Sequence, residues 1–395
     1  MQRGIATFTL DYGRCPRWLF ERMVKLGREM TCVLIDEYGA DEFVKRIADP
    51  VWFQSLGTVL AFDWNASGLT TILTAALKEA IRYQERDLGI FICGGKGKTS
   101  RKTPDEIVGW GERLSLPQGH VNNFVYNSKM AAKVDSSLVQ DGFQIYHHSF
   151  FFSKNGHWAV VQQGMNTVNQ TARRYHWYSE NISDLVCEPH SGIASQVRQR
   201  AVLNLTARDS QNNQKISRQL ATLGYSRFKR DIEIIRKHQS ELSTMTVLKR
   251  RGESLTLLEL ANTEFNSHPV LLEDFARSRY LSKILDKLSE LQPKTYEELL
   301  ATEGVGPKTI RALSLVAEVI YGAKPSYEDP ARYSFAHGGK DATPYPVDRP
   351  TYDRTIAMLA NAVHKSKINA KDKDKALRRL DRTSYSSKYF LTLPK

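Results

Sequence analysis

Residues 143–164 read FQIYHHSFFFSKNGHWAVVQQG, and this stretch decides the class of fold. Two runs rich in aromatic and β-branched residues flank Lys154-Asn155-Gly156. Asn-Gly between such runs supplies the positive φ angles of a tight turn, so the stretch predicts a β-hairpin. Around it the periodicity changes. Trp18, Leu19, Met23, Leu26 and Met30 recur at helical spacing after Pro16, with Gly39 as the stop. Residues 70–86, TTILTAALKEAIRYQER, predict a second amphipathic helix that feeds a short apolar strand, GIFIC, at 89–93. Residues 123–138 predict a further helix. Helices mixed with a strong hairpin predict an α+β domain.

Beyond about residue 195 the strand signals nearly vanish. Residues 215–240 and 270–291 predict helices, punctuated by Pro269 and Pro293, and RDSQNNQK (208–215) predicts a turn between helices. Three parts follow: an α+β candidate catalytic domain over 1–190, a basic helical connector or dimerisation segment over 191–254, and a helical domain over 255–395, whose expected role comes from the motif at 300–319. The last contains a loop, 322–350, with five prolines and three glycines. A loop of that length is more often functional than a mere linker.

The chain has 395 residues, 41% of them hydrophobic and 25% charged, which suits a packed core and excludes global disorder. No run of about 18 uncharged apolar residues occurs, which argues against a membrane-spanning helix and a membrane partner. The N-terminus carries no apolar core of a secretory signal. Cys15, Cys32, Cys93 and Cys187 are scattered, with no C-x-x-C, which argues against a zinc knuckle and a disulfide framework. The expected location is the cytoplasm, at the nucleoid. The formal charge is +13 and unevenly spread. Residues 196–251 hold thirteen Lys/Arg against four carboxylates, and 364–388 hold nine against three. Two basic segments point to an anionic partner, nucleic acid, with Arg227, Lys229 and Arg230 as expected phosphate contacts.

The sharpest motif is LATEGVGPKTIRALSLVAEV at 300–319. Gly304-Val305-Gly306 joins two helical runs, the second opened by Pro307. Glycines let the backbone turn with its N–H groups outward, and a phosphate sits well on unpaired amides at the positive end of a helix. The stretch resembles the helix-hairpin-helix motif, which binds a DNA backbone without reading sequence. The resemblance implies contacts from Gly304, Val305, Gly306, Lys308 and Thr309.

The resemblance extends to the helix-hairpin-helix DNA glycosylase superfamily, in which a Lys of this run attacks the sugar and an Asp further on is the catalytic carboxylate. It implies Lys308 as the Schiff-base nucleophile and Asp348, in YPVDRPTYDRTI (345–356), as the carboxylate that stabilises an oxocarbenium-like charge. Pro350 stands where that superfamily has His, the interval to Asp348 is longer, and the iron–sulfur cysteines of some members are absent. Asp348 otherwise caps the helix at 350–363.

At the scale of the chain, five strings are distinctive: RGIATFTLDYGRCPRWLFERM near the start, GGKGKTSRKTPDEI at 94–107, YHHSFF…WAVVQQGMN at 146–166, TARRYHW at 171–177 and HGGKDATPYPVDRPTYD at 337–353. They resemble an archaeal and thermophilic bacterial family, domain-of-unknown-function family 763, over essentially residues 1–365. That resemblance implies a protein acting on DNA, with nuclease as the expected activity.

Chemistry is expected in the N-terminal part. GGKGKTSRK (94–102) follows a strand and offers Lys96, Lys98, Arg101 and Lys102 to a phosphate, but its spacing is not that of a nucleotide-hydrolysing P-loop. Six of the ten histidines lie between 120 and 190. A phosphodiesterase needs a cation and a base or metal-bound water. Asp135, Asp141, His147 and His148 are the candidate catalytic groups, and Asp135, Asp141 and His148 the candidate ligands of Mn²⁺ or Mg²⁺. Since His147 and His148 alternate faces of a strand, one of them is expected to reach a cleft. The leading expectation is a metal-dependent DNA endonuclease. The alternatives are a base-excision glycosylase/lyase using Lys308 and Asp348, and a non-enzymatic DNA-binding protein; a homodimer is compatible with any of them.

Overall fold

The computed structural model describes residues 15–60, 67–195, 198–199, 201–237, 246–250, 253–257, 279–331 and 349–388. The predicted hairpin is its centre. β3 (Gln144–Ser153) and β4 (Trp158–Asn166) pair antiparallel with Phe152 opposite Trp158, and Ser153 N–H donates to His157 O at 2.9 Å to close the turn. Gly156 supplies the positive φ there, at 101°. Before the hairpin come α1 (Arg17–Ile47), α2 (Pro50–Val59), α3 (Gly68–Ala80), the short α4 (Glu85–Leu88) and β1 (Ile90–Lys96). Next are α5 (Thr103–Arg113), α6 (Gln118–Ser137) and the two-residue β2 (Val139–Gln140). β5 (Thr171–Tyr178) and β6 (His190–Ser195) complete a five-stranded antiparallel sheet in the order β1-β3-β4-β5-β6.

The sheet is covered on both faces, which explains why its strands read as nearly continuous apolar runs. Ile90, Ile92, Phe151, Ala159, Val161 and Tyr178 face one core together with α1–α3. Their neighbours Phe91, Cys93, Phe150, Phe152, Val160 and Trp177 face a second core with α5 and α6. A period of two thus serves two cores rather than one core and solvent.

The later chain closes both layers. β7 (Leu203–Asn204) pairs with β2, and α7 (Gln211–Thr222), α8 (Tyr225–Lys237), α9 (Arg279–Leu291), α10 (Tyr296–Ala301) and α11 (Pro307–Tyr321) follow. β8 (Thr246–Arg250) and β9 (Glu253–Leu257) form a separate hairpin between α8 and α9. Leu281, Leu285, Leu299, Ile310 and Leu313 join the core of α5 and α6. By contrast α12 (Arg349–Lys365) and α13 (Ala370–Lys388) place Leu359, Val363, Ala376 and Leu380 in the core of α1–α3.

The α+β class holds, and several details differ from the sequence reading. The helical C-terminal region is not one module, because α9–α11 and α12–α13 pack on opposite faces of the sheet. The boundaries expected near 190 and 255 therefore do not divide the cores. Strands continue past 195 in β7, β8 and β9. RDSQNNQK is not a turn: it opens α7 and buries Asn213 and Gln214. Their amides donate to Ser314 O and Ala323 O, and to Val186 O and Leu205 O, so polar side chains satisfy carbonyls of neighbouring segments. Gly39 does break the helix, but as a kink at φ 85°, ψ 163° inside α1.

Candidate nucleic-acid interface

The turn between α10 and α11 is built as a short, pinned hairpin. Thr295 caps α10 by accepting from Glu298 N–H at 3.0 Å, while Glu298 accepts from Lys294 N–H at 2.7 Å. Gly304 has φ 90°, and a Cβ there would lie 2.4 Å from Ile284 Cδ1. Val305 is buried in the core and anchors the turn. Gly306 is the N-cap of the 15-residue α11, in extended geometry (φ −144°, ψ −173°), and Pro307 follows at the first helical position. A Cβ on Gly306 would meet nothing within 4 Å.

Cations surround this turn. Lys308 is exposed beside Gly306. Lys133 of α6 donates to Thr302 O at 2.7 Å, Lys287 of α9 donates to Glu303 O at 3.2 Å, and the Tyr280 hydroxyl donates to Gly304 O. Burial lowers the Lys133 pKa, Lys287 adds to that fall and Glu303 opposes it. Gln140 of β2 reaches Pro307 O at 3.1 Å and accepts from Arg311 at 2.6 Å, fixing the first turn of α11. Thr309 is fully buried, so its side chain belongs to the core and not to a DNA contact.

The glycine–lysine loop forms a second basic surface. β1 ends in Gly94-Gly95-Lys96, a 3₁₀ turn spans Gly97–Lys102, and α5 begins at Thr103. Gly94 has φ 88°, and a Cβ there would sit 2.3 Å from His148 O and 2.4 Å from Thr103 Oγ1. Glu106 pins the loop by accepting from Gly94 N–H at 2.8 Å and from Lys78 at 2.6 Å, while Lys78 also donates to Gly94 O at 3.1 Å. Lys96, Lys98, Arg101 and Lys102 are all exposed, and the Lys96 ammonium lies 5.8 Å from the Tyr146 ring centroid.

Neither His147 nor His148 reaches a cleft, because helices cover both faces. His147 faces α3, sharing its Nε2 with Thr74 Oγ1 at 3.2 Å and Ser149 Oγ at 3.1 Å. Burial, with smaller contributions from His148 and Lys96, pushes its pKa down to about 3. His148 faces α6, with Nε2 at 2.9 Å from Ser128 Oγ and Nδ1 at 3.0 Å from Gln162 Oε1. Burial lowers its pKa too.

The three expected metal ligands are not brought together. Gln162 links His148 to Asp135, donating to the carboxylate at 2.5 Å, and Asp135 also accepts from Trp177 at 3.1 Å and meets His190 Nε2 at 2.5 Å. Asp141 belongs to another network, accepting from Arg173 at 2.9 Å, Tyr175 at 2.7 Å and Phe143 N–H at 3.0 Å. Burial raises the Asp141 pKa against the pull of Arg173. Asp329 holds the other side of Arg173 at 2.7 Å and 3.0 Å. Among the described residues no three His, Cys, Asp or Glu side chains are grouped to hold a metal ion.

In the basic segment, Lys229 and Arg230 are exposed on α8, whereas Arg227 is half-buried. Asp348 lies outside the described residues, so its relation to Lys308 is not part of this geometry. Sequence reading missed Lys78 and Glu106, which hold the loop, and Lys133, Lys287 and Tyr280, which hold the turn. Only Glu106 had a local signal, as the acidic residue after Thr-Pro-Asp at a helix start.

A family model described as "Protein of unknown function (DUF763)" matches residues 4–347. The chain belongs to that family. Searches of curated proteins and of solved structures returned no match. The DUF763 match takes in the glycine–lysine loop, both buried networks and the α10–α11 turn, and ends one residue before Asp348. Helices α12 and α13 follow the DUF763 region in sequence yet pack into its first core.

Proposed function

We propose that the protein binds the phosphate backbone of DNA without reading sequence, using the α10–turn–α11 unit as a helix-hairpin-helix. The observation that carries this reading is Gly306. It caps a 15-residue helix in extended geometry with open space where a side chain would be, and Lys308 is exposed beside it. The first amides of a helix have no intrahelical partners, and the helix dipole favours an anion there. Lys308 adds a point charge, and the exposed Lys229 and Arg230 of α8, which packs against α11, add to the basic surface.

Strand hydrolysis and lyase chemistry are not part of the proposal. Asp135 and Asp141 are each saturated by buried donors, and the carboxylate expected to serve Lys308 lies outside the described residues.

Gly306→Asp tests the reading. Asp is a better N-cap than Gly, and the position has room for it, so helix stability should hold or rise. The new carboxylate occupies the place of the phosphate. Duplex DNA binding should weaken at least about tenfold, a loss of about 1.4 kcal/mol, while the melting temperature stays level or climbs. Wild-type affinity in Gly306→Asp would remove the hairpin from the interface.

A further inference from the structure

A cavity of about 450 Å³ opens beside α5, lined by residues of α3, the glycine–lysine loop and α5 and by none of the α10–α11 turn, and its chemistry differs from that of a phosphate cradle. One wall is the indole of Trp110, half-buried with its inner side against Phe91 at a ring-centroid distance of 4.9 Å. The Arg113 guanidinium lies over that indole, 5.0 Å from its centroid. Lys102, the last residue of the glycine–lysine loop, stands on the rim and is exposed. Two carboxylates also line the space. Glu106 is committed to Lys78 and Gly94 N–H, which leaves Asp105 as the exposed acceptor.

Gly109 also lines the space. It lies inside α5, where Gly costs roughly 0.5–1 kcal/mol relative to Ala. Packing does not require it, since a Cβ there would meet nothing within 4 Å. Gly111, two residues on, is different: a Cβ on it would lie 2.4 Å from Val121 Cγ2. Gly109 therefore keeps space open rather than allowing close packing.

We propose that this cavity takes one nucleotide, its base stacked on the Arg113 guanidinium that lies over the Trp110 indole and its phosphate met by Lys102. A guanidinium plane backed by an indole, with an ammonium beside it, is a combination that holds an unpaired base and its phosphate. Asp105 is an acceptor for a base amino group or a sugar hydroxyl. The exposed Lys96, Lys98 and Arg101 lead along the loop to Lys102, the course a strand would follow. The inference rests on the nucleic-acid reading above but uses a different surface, for unpaired rather than duplex nucleic acid.

The test measures binding of a short labelled oligothymidylate and of thymidine monophosphate to the full chain, in the wild type, Gly109→Leu and Lys102→Glu. The leucine side chain of Gly109→Leu fills the space while improving helix propensity, so the melting temperature should not fall. Both variants should bind each probe about tenfold more weakly, the scale expected for loss of one stacked base or one phosphate contact. An oligomer held more tightly than the monophosphate assigns the cavity to a strand; equal affinities assign it to a free nucleotide. Duplex binding should weaken at least about tenfold in Gly306→Asp and be unchanged in Gly109→Leu, which separates failure of the hairpin from failure of the cavity. Failure of the wild type to bind either probe, or wild-type affinity in a folded Gly109→Leu and in Lys102→Glu, would overturn the assignment.

Discussion

Gly94 and Gly97 stand three residues apart in one loop, yet they carry different demands. Both have positive φ, 88° and 60°. A Cβ at 94 would collide with the His148 carbonyl and the Thr103 hydroxyl, while one at 97 would meet nothing within 4 Å. Gly94→Ala should therefore destabilise by more than about 3 kcal/mol, through strain and a backbone collision together. Gly97→Ala, with only the φ cost, should lose about 1 kcal/mol. Urea unfolding of the two variants decides this, and equal losses would contradict the loop geometry. At this scale the exposed cations of the loop were legible in the sequence, since a glycine–lysine run has no apolar face to bury. Asp141 was not. Its partner Arg173 is 32 residues away, and Asp329, which completes the ion pair, is 156 residues from Arg173. Local spacing carries no trace of either.

Among the elements, the β3–β4 hairpin was legible because turn chemistry and strand composition agree over a short span. RDSQNNQK was misread because Asp, Ser and Asn favour turns, whereas here a neighbouring carbonyl needs the Asn213 amide as donor. The hairpin histidines were misread for a related reason: a polar residue on a strand implies a wet face only if one face is uncovered. Their burial has a measurable consequence. His147, His148 and His176 are all buried with pKa values lowered from 6.5, so between about pH 6.5 and the lowered values the unfolded chain binds more protons than the folded one. Stability should thus be present above pH 6.5 and fall as the pH drops, by up to about 1.4 kcal/mol per pH unit for each histidine. Asp141, raised from 3.8, works in the opposite sense wherever the two windows overlap. Denaturant midpoints at pH 7 and pH 5 check the slope, and His147→Gln should reduce it by about one proton. A pH-independent midpoint would contradict the burial of these rings.

Over the whole molecule, the charge of +13 acquires a geometry that composition does not convey. The basic α8 packs with α9 and α11, on the same face of the sheet as the α10–α11 turn. Basic α13 packs against α2 on the opposite face. In sequence the two basic segments flank the turn; in the fold they join opposite cores. The missed fact is topological, since nothing in a basic amphipathic helix says which face of a distant sheet it will cover.

The most direct test of backbone binding is the salt dependence of duplex affinity. Each neutralised phosphate releases counterions, so the logarithm of the affinity should fall linearly with the logarithm of salt concentration. Lys308→Ala should make that slope shallower by about one, and neutralising Lys229 and Arg230 should flatten it further, while the melting temperature is unchanged. An affinity insensitive to salt, or a Lys308→Ala slope equal to that of the wild type, would contradict the account.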